Sequence, residues 1–104
     1  MSEKQLGHMV FFKLKDASAA KAQALVNDCD KYLKPHAGIV YFSAGTLAKE
    51  LNREVNDLNF DVALHLVFET KKHHDEYQET KSHHEFIDKN KENWANVRVF
   101  DSYI

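Results

Sequence analysis

A tyrosine and a histidine six positions apart, Tyr77 and His83, are the residues of this 104-residue chain best placed to do chemistry. His83 follows Ser82, which the local pattern places at the start of a helix. The helix dipole disfavours an imidazolium there, so the ring stays neutral and can accept a proton. A phenol beside it can donate to a developing enolate oxygen. The pair therefore predicts acid–base catalysis next to a carbonyl group, with His83 as base and Tyr77 as acid.

Plainer interpretations of these residues remain open. Tyr77 also fits the ordinary packing of an amphipathic helix. His83 could face solvent, as we expect for its neighbour His84. His8 shares a predicted strand face with Val10 and Phe12, so it is either a core residue or a cavity residue that orients a substrate oxygen.

The chain has seven histidines, which raises the question of a metal site. The pairs His73/His74 and His83/His84 point about 100° apart on a helix, so neither pair can hold one ion well. His84 and Asp88 could bind an ion weakly, and there is no HExxH motif. We therefore expect no metal site and no cofactor.

Hydrophobic periodicity and a few Gly and Pro breakers predict the elements that position these residues. Ser82 and Glu85 form a predicted capping box, so a second helix should begin there. A polar excursion covers residues 46–58, with a helical turn at 47–51. The predicted regular elements are strands at 6–15, 39–44, 60–68 and 97–103 and helices at 17–34, 71–80 and 82–93.

The order β-α-β-β-α-β predicts an α+β, ferredoxin-like fold, with a four-stranded antiparallel sheet and helices on one face. The first and third strands are apolar on both faces, more than one helical layer can cover. An uncovered apolar sheet face usually marks an interface. We therefore expect a homodimer formed through the sheet faces.

The composition limits the class of protein. Hydrophobic residues make up 43% of the chain, which suits a single globular domain over residues 1–104. The formal net charge of −2 argues against nucleic acid as a partner. The sequence shows no signal core and no apolar span, and Cys29 is its lone cysteine. We therefore expect the protein to be cytoplasmic and not associated with membranes.

Several segments, in order, give the chain a family resemblance. The first runs from His8 to Asp16, and Gly38-Ile39 with Gly45 continue the match into the second strand. Residues 60–70, Tyr77, His83, Phe86 and the closing Val99-Phe100-Asp101 complete it. Together they resemble the stress-responsive dimeric α/β-barrel (Dabb) family, with a distant similarity to olivetolic acid cyclase.

The resemblance implies a dimeric barrel with a pocket between sheet and helices, for a small apolar or polyketide-like ligand. The cyclase-like branch of the family implies a cofactor-independent cyclase/lyase reaction of the aldol type. By this resemblance, Tyr77 and His83 would do the acid–base work. His8 and Asp101 would assist them. The chain departs from the family's His-Pro pattern with Thr80 and Lys81, which changes the polarity of the pocket. Alternatives are a non-catalytic stress-response or ligand-binding protein, and a cofactor-free monooxygenase of the related barrel group.

Overall fold

The computed structural model describes residues 3–104 and contains four strands and three α-helices. No helix of the described part of the chain is long and apolar enough to cross a membrane. A short 3₁₀ turn, Lys91–Asn93, joins the last helix to the last strand. The elements are β1 (Leu6–Leu14), α1 (Ala19–Tyr32), β2 (Ile39–Thr46), β3 (Val62–Phe68), α2 (Lys71–Gln78), α3 (Lys81–Asn90) and β4 (Trp94–Tyr103).

The strands form one antiparallel sheet in the order β2-β3-β1-β4, which confirms the predicted ferredoxin-like arrangement. β1 lies in the centre and pairs with both β3 and β4. In this register His8 lies opposite Leu66 on one side and Asp101 on the other. Because directly opposed residues share a face, the sheet brings His8 and Asp101 together from opposite ends of the chain.

The core lies between the helices and one face of the sheet. Along β3 the side chains alternate strictly between buried and half-buried, as the two-residue period of a strand requires. Cys29 of α1 and Leu33 just after it are almost fully buried against this face. The core side chains on the sheet include Val10, Phe12, Val62, Leu64, Leu66 and Phe68.

The turn before β2 needs a glycine. Gly38 has φ of +86°, a left-handed conformation that favours glycine. A Cβ atom there would also clash with the His73 ring. Gly38 therefore allows α2 to approach the start of β2 closely.

The predicted capping box at Ser82 is wrong, although the predicted helix break near residue 80 is present. Thr80 is the N-cap of α3, and its Oγ1 accepts a hydrogen bond from the backbone N–H of His83 at 3.2 Å. Ser82 lies inside the first turn, and its Oγ is 3.2 Å from Nε2 of His36. Thr80 and Ser82 both have a hydroxyl group that could cap a helix. Because the chain turns directly after α2, the earlier residue, Thr80, is the cap.

The segment between β2 and β3 also differs from the prediction. Residues 47–51 form only a single turn, in which the backbone N–H of Leu51 donates to the carbonyl of Ala48 at 3.1 Å, and β3 begins at Val62 rather than Phe60. The Asp61 carboxylate accepts a hydrogen bond from the backbone N–H of Leu14 at 2.8 Å. Arg98 Nη1 donates to Asp57 Oδ2 at 2.7 Å. These contacts hold an irregular segment against the edge of the sheet without a helix.

The other face of the sheet has no helices over it. Phe11 lies there with its ring 5.7 Å from that of Phe100 and 5.0 Å from that of Phe60, measured between centroids. Tyr41 and Phe100 are each 54% exposed. The two-sided apolar character predicted for the strands is therefore real, and this chain alone covers only one side.

Candidate functional site

A cavity of about 170 Å³ lies between the helix-covered face of the sheet and helices α2 and α3. Its walls are mainly aliphatic and aromatic. Val97 and Val99 of the edge strand β4 line it and remain partly exposed, so the cavity opens along this edge. The polar side chains in the wall are His8, Tyr77, Gln78 and His83.

Tyr77 and His83 meet in this wall, with their ring centroids 4.8 Å apart and the rings nearly perpendicular. Tyr77 lies on the last turn of α2 and is 2% exposed. The Thr80 hydroxyl donates to the backbone carbonyl of Tyr77 at 2.9 Å and also caps α3 through the N–H of His83. Thr80 therefore ties the helix end that carries the tyrosine to the helix start that carries the histidine.

Burial sets the protonation of both groups. It raises the pKa of the Tyr77 hydroxyl well above its usual value, so this group stays protonated and can donate. Burial also lowers the pKa of His83 to about 4, and the nearby His84 adds to this effect. His83 is therefore neutral near pH 7 and can accept a proton, in agreement with its predicted state.

His83 and Trp94 both carry a buried polar atom without a partner. Among the described residues, neither Nδ1 of His83 nor Nε1 of Trp94 makes a hydrogen bond. An unpaired buried polar group is costly in an ordinary core and is more common at functional sites. The two residues lie on the same cavity wall, which favours a functional interpretation of His83 over simple packing.

His8 is buried and forms a hydrogen-bonded pair with Asp101. Nδ1 of His8 is 2.5 Å from Oδ1 of Asp101. Because an ionised carboxylate only accepts, Nδ1 carries the hydrogen and Nε2 of a neutral ring has a free lone pair. Burial lowers the pKa of His8 and outweighs the opposing effect of the Asp101 carboxylate. The ring of His8 lies 6.2 Å from that of Tyr77.

The structure thus brings all four residues named from the sequence, His8, Tyr77, His83 and Asp101, to one region. Tyr77, His83 and His8 line the same cavity, whereas Asp101 reaches it through His8. His84 is exposed, as expected. Cys29 is buried, and its pKa is raised to about 12, so it packs as a small apolar side chain.

Two further histidines that the sequence analysis did not select join this cluster. The ring of His74 on α2 lies 4.8 Å from that of His8. The ring of His36, from the loop before β2, lies 5.0 Å from that of Tyr77. His74 is three residues before Tyr77, a helical spacing that places both on one face and could have indicated it. Nothing local indicated His36, since its position depends on the fold.

Solved structures with this fold include two bacterial proteins and a plant enzyme. A dimeric ferredoxin-like protein of unknown function from Thermobifida fusca has a TM-score of 0.79 and 12% identity, covering 98% of this chain and 92% of its own. A Dabb family protein from Mesorhizobium loti has a TM-score of 0.78 and 18% identity, covering 96% of each chain. The hydroxynitrile lyase from Passiflora edulis has a TM-score of 0.77 and 17% identity, covering 97% of this chain and 94% of its own.

These likenesses are below 25% identity and show the fold alone. No curated protein sequence matches the chain. The sequence pattern of the stress responsive A/B barrel domain, by contrast, matches residues 6–104, which is nearly the whole chain. The chain therefore belongs to the stress responsive A/B barrel domain (Dabb) family.

Proposed function

We propose that the cavity binds a small, mostly apolar carbonyl compound and that Tyr77 and His83 carry out cofactor-independent acid–base chemistry on it. The observation that carries this proposal is the meeting of the two rings, 4.8 Å apart, in the wall of one cavity. The reaction class is an aldol-type cyclisation or a lyase reaction. Both need a proton to leave one atom while a carbonyl oxygen gains or loses charge.

The states of the two groups suit this chemistry. In a cyclisation, neutral His83 takes a proton from the carbon next to a carbonyl group, this carbon bonds to a second carbonyl carbon of the same molecule, and the proton passes to the new alkoxide. In the lyase reaction on a cyanohydrin, His83 takes the hydroxyl proton, the bond to the cyanide carbon breaks as the carbonyl group forms, and the proton leaves with cyanide. Protonated Tyr77 donates a hydrogen bond to the oxygen on which charge develops, in a water-poor pocket where such a bond is strong. The Asp101 carboxylate holds the ring of His8, which lies 6.2 Å from that of Tyr77 and supports the substrate oxygen.

The size of the cavity limits the ligand. An apolar protein cavity of about 150 Å³ can hold one benzene molecule. The 170 Å³ found here therefore suits one ring or a short chain. A longer, polyketide-like molecule would extend through the opening beside Val97 and Val99. The fold shared with a hydroxynitrile lyase agrees with a lyase reaction.

A turnover assay without added cofactor tests the proposal, using an aromatic cyanohydrin and a linear β-polyketone as substrates. We expect Tyr77→Phe and His83→Gln each to lower kcat/KM by about 100-fold or more. His84→Gln is the matched control, because it changes the neighbouring exposed histidine of the same helical turn. Wild-type turnover in His83→Gln would refute the assignment of the base.

The same assay separates the alternatives. Saturable binding of these compounds without turnover would indicate a ligand-binding protein. Oxygen consumption with an aromatic quinol would indicate a cofactor-free monooxygenase, the third function considered from the sequence.

We also propose that the protein works as a homodimer, with the uncovered sheet faces of two copies packed together. The exposed rings of Tyr41 and Phe100 support this arrangement, since a patch of this kind is costly to leave in water. The dimeric description of the Thermobifida fusca protein agrees with it. Such packing would leave the cavity on the opposite face accessible.

A cytoplasmic location remains part of the proposal. Its support is the single cysteine, Cys29, which is unpaired and buried within the described residues. Cell fractionation with an antibody against the protein would test it, and recovery with secreted proteins would contradict it.

A further inference from the structure

Three side chains from three separate elements converge beside the catalytic pair. They are His8 from β1, His74 from α2 and Asp101 from β4. One ligand atom from each of them lies within 4.8 Å of the others. The histidine pairs considered from the sequence did not include this set, because sheet pairing and helix packing assemble it.

The donor set has the chemistry of a transition-metal site. Two imidazoles and one carboxylate suit Zn²⁺ and similar first-row ions better than Mg²⁺ or Ca²⁺, which prefer oxygen ligands. Two ligand atoms of a tetrahedral zinc ion lie about 3.3 Å apart. His74 must therefore come closer, whereas the His8 and Asp101 atoms, now 2.5 Å apart, must separate slightly. His74 and Asp101 can move because their side chains are 16% and 43% exposed.

The surroundings supply the other parts of such a site. Nδ1 of His74 is 3.0 Å from Oδ1 of Asp75, and a carboxylate is the usual outer partner of a metal-bound histidine. A second cavity, lined by His74, Asp101 and Ser102 among others, gives access from solvent. Lys71 also lines it, but the Asp75 carboxylate, 2.6 Å from its Nζ, compensates its charge.

We propose that His8, His74 and Asp101 bind one first-row divalent transition-metal ion, with Zn²⁺ the best fit. The ion takes the place of the hydrogen that Nδ1 of His8 donates to Asp101, and this hydrogen moves to Nε2 of the ring. Three protein ligands leave a fourth position for water. His8 and Asp101 belong to both proposals, but Tyr77 and His83 are not ligands, so binding of the ion does not depend on the proposed reaction.

Calorimetric titration of metal-free protein with Zn²⁺ tests the site without any substrate. We expect saturable binding of one ion per chain. His74→Ala should weaken binding by more than about 100-fold, since it removes a ligand. Asp101→Asn should weaken it too, and this variant keeps the shape of an exposed side chain on an edge strand.

The control is His84→Ala, which removes an exposed histidine and should leave the affinity for Zn²⁺ unchanged. Circular dichroism confirms that each variant is folded. The absorption spectrum of the Co²⁺ form should show tetrahedral coordination in the wild type and lose it in Asp101→Asn. The proposal is overturned if the wild type shows no saturable binding or if His74→Ala binds as tightly as the wild type. Loss of binding in His84→Ala would also overturn it, and would place the ion at His84 and Asp88 instead.

Discussion

The two faces of the sheet are built from the same strands but have different environments. On the helix-covered face Val62, Leu66 and Phe68 are fully buried. On the open face Tyr41 and Phe100 keep more than half of their surface exposed. The alternation of side chains along a strand supplies both faces equally, whereas three helices can cover only one. The covered face therefore stabilises the chain, and the open face is available for a second chain.

The faces also differ in how they treat polar groups. On the covered face His8 is buried, and its hydrogen bond to Asp101 offsets the cost of burial. On the open face His65 is only half-buried, with its ring 6.2 Å from that of Phe11. A polar side chain that is buried on the covered face, such as His8, is thus held in one orientation. Acid–base chemistry requires such a fixed orientation.

The largest effect should follow from a change in the covered face. Phe68→Ala removes a fully buried ring and leaves a cavity, so it should lower the free energy of unfolding by about 3–5 kcal/mol. Urea denaturation followed by circular dichroism measures this change. Phe100→Ala on the open face is the control. At protein concentrations low enough to favour the monomer, Phe100→Ala should change the free energy of unfolding by less than about 1 kcal/mol. Equal losses in the two variants would contradict the difference between the faces.

A charge on the open face should act on association. Phe100→Glu places a carboxylate in the proposed interface, and the two copies repeat the change by symmetry. We expect the dimer to weaken by at least about 30-fold, which corresponds to about 2 kcal/mol, as measured by sedimentation equilibrium. Gln23→Glu adds the same charge on an exposed position of α1 and should leave association unchanged. A monomeric wild type would contradict the proposed dimer.

Acid should weaken the covered face through His83. Its pKa is about 4 in the folded chain and about 6.5 when unfolded, so the unfolded chain binds more protons between these values. The stabilising contribution is full above pH 6.5 and lost as the pH falls through 4. Because His83 is partly exposed, we expect a loss of about 2 kcal/mol between pH 7 and pH 4. Denaturation at several pH values should show a smaller loss in His83→Gln than in His84→Gln. An equal loss in the two variants would contradict the assignment.

The smallest effect concerns the turn that connects α2 to α3 beside the cavity. Thr80→Ala removes the N-cap of α3 and should destabilise the chain by about 1 kcal/mol. Ser82→Ala should cost less, about 0.5 kcal/mol, because Ser82 caps nothing. Thermal unfolding of both variants measures the difference, and a larger loss in Ser82→Ala would restore the capping box predicted from the sequence.

Much of the fold could be predicted because it depends on local patterns. The two-residue period of the strands and the helical spacing of Leu25 and Cys29 placed the elements to within a few residues. Capping was harder, because Thr80 and Ser82 both offer a hydroxyl and the choice depends on how the chain leaves α2. The segment 46–58 could not be predicted, since its conformation depends on distant partners such as Arg98.

The sequence by itself determined the order of the elements, the two apolar faces of the sheet and the types of residue available for acid–base work. Only the tertiary structure decided which residues join Tyr77 and His83. Strand pairing places Asp101 beside His8 across 93 positions of sequence, and the packing of α2 against the sheet adds His74. Spacing along a chain sets the face on which a side chain lies, but distances between elements depend on register and packing. The proposed metal site and the effect of burial on His83 therefore come from the fold, whereas the pairing of a tyrosine with a histidine was visible in the sequence.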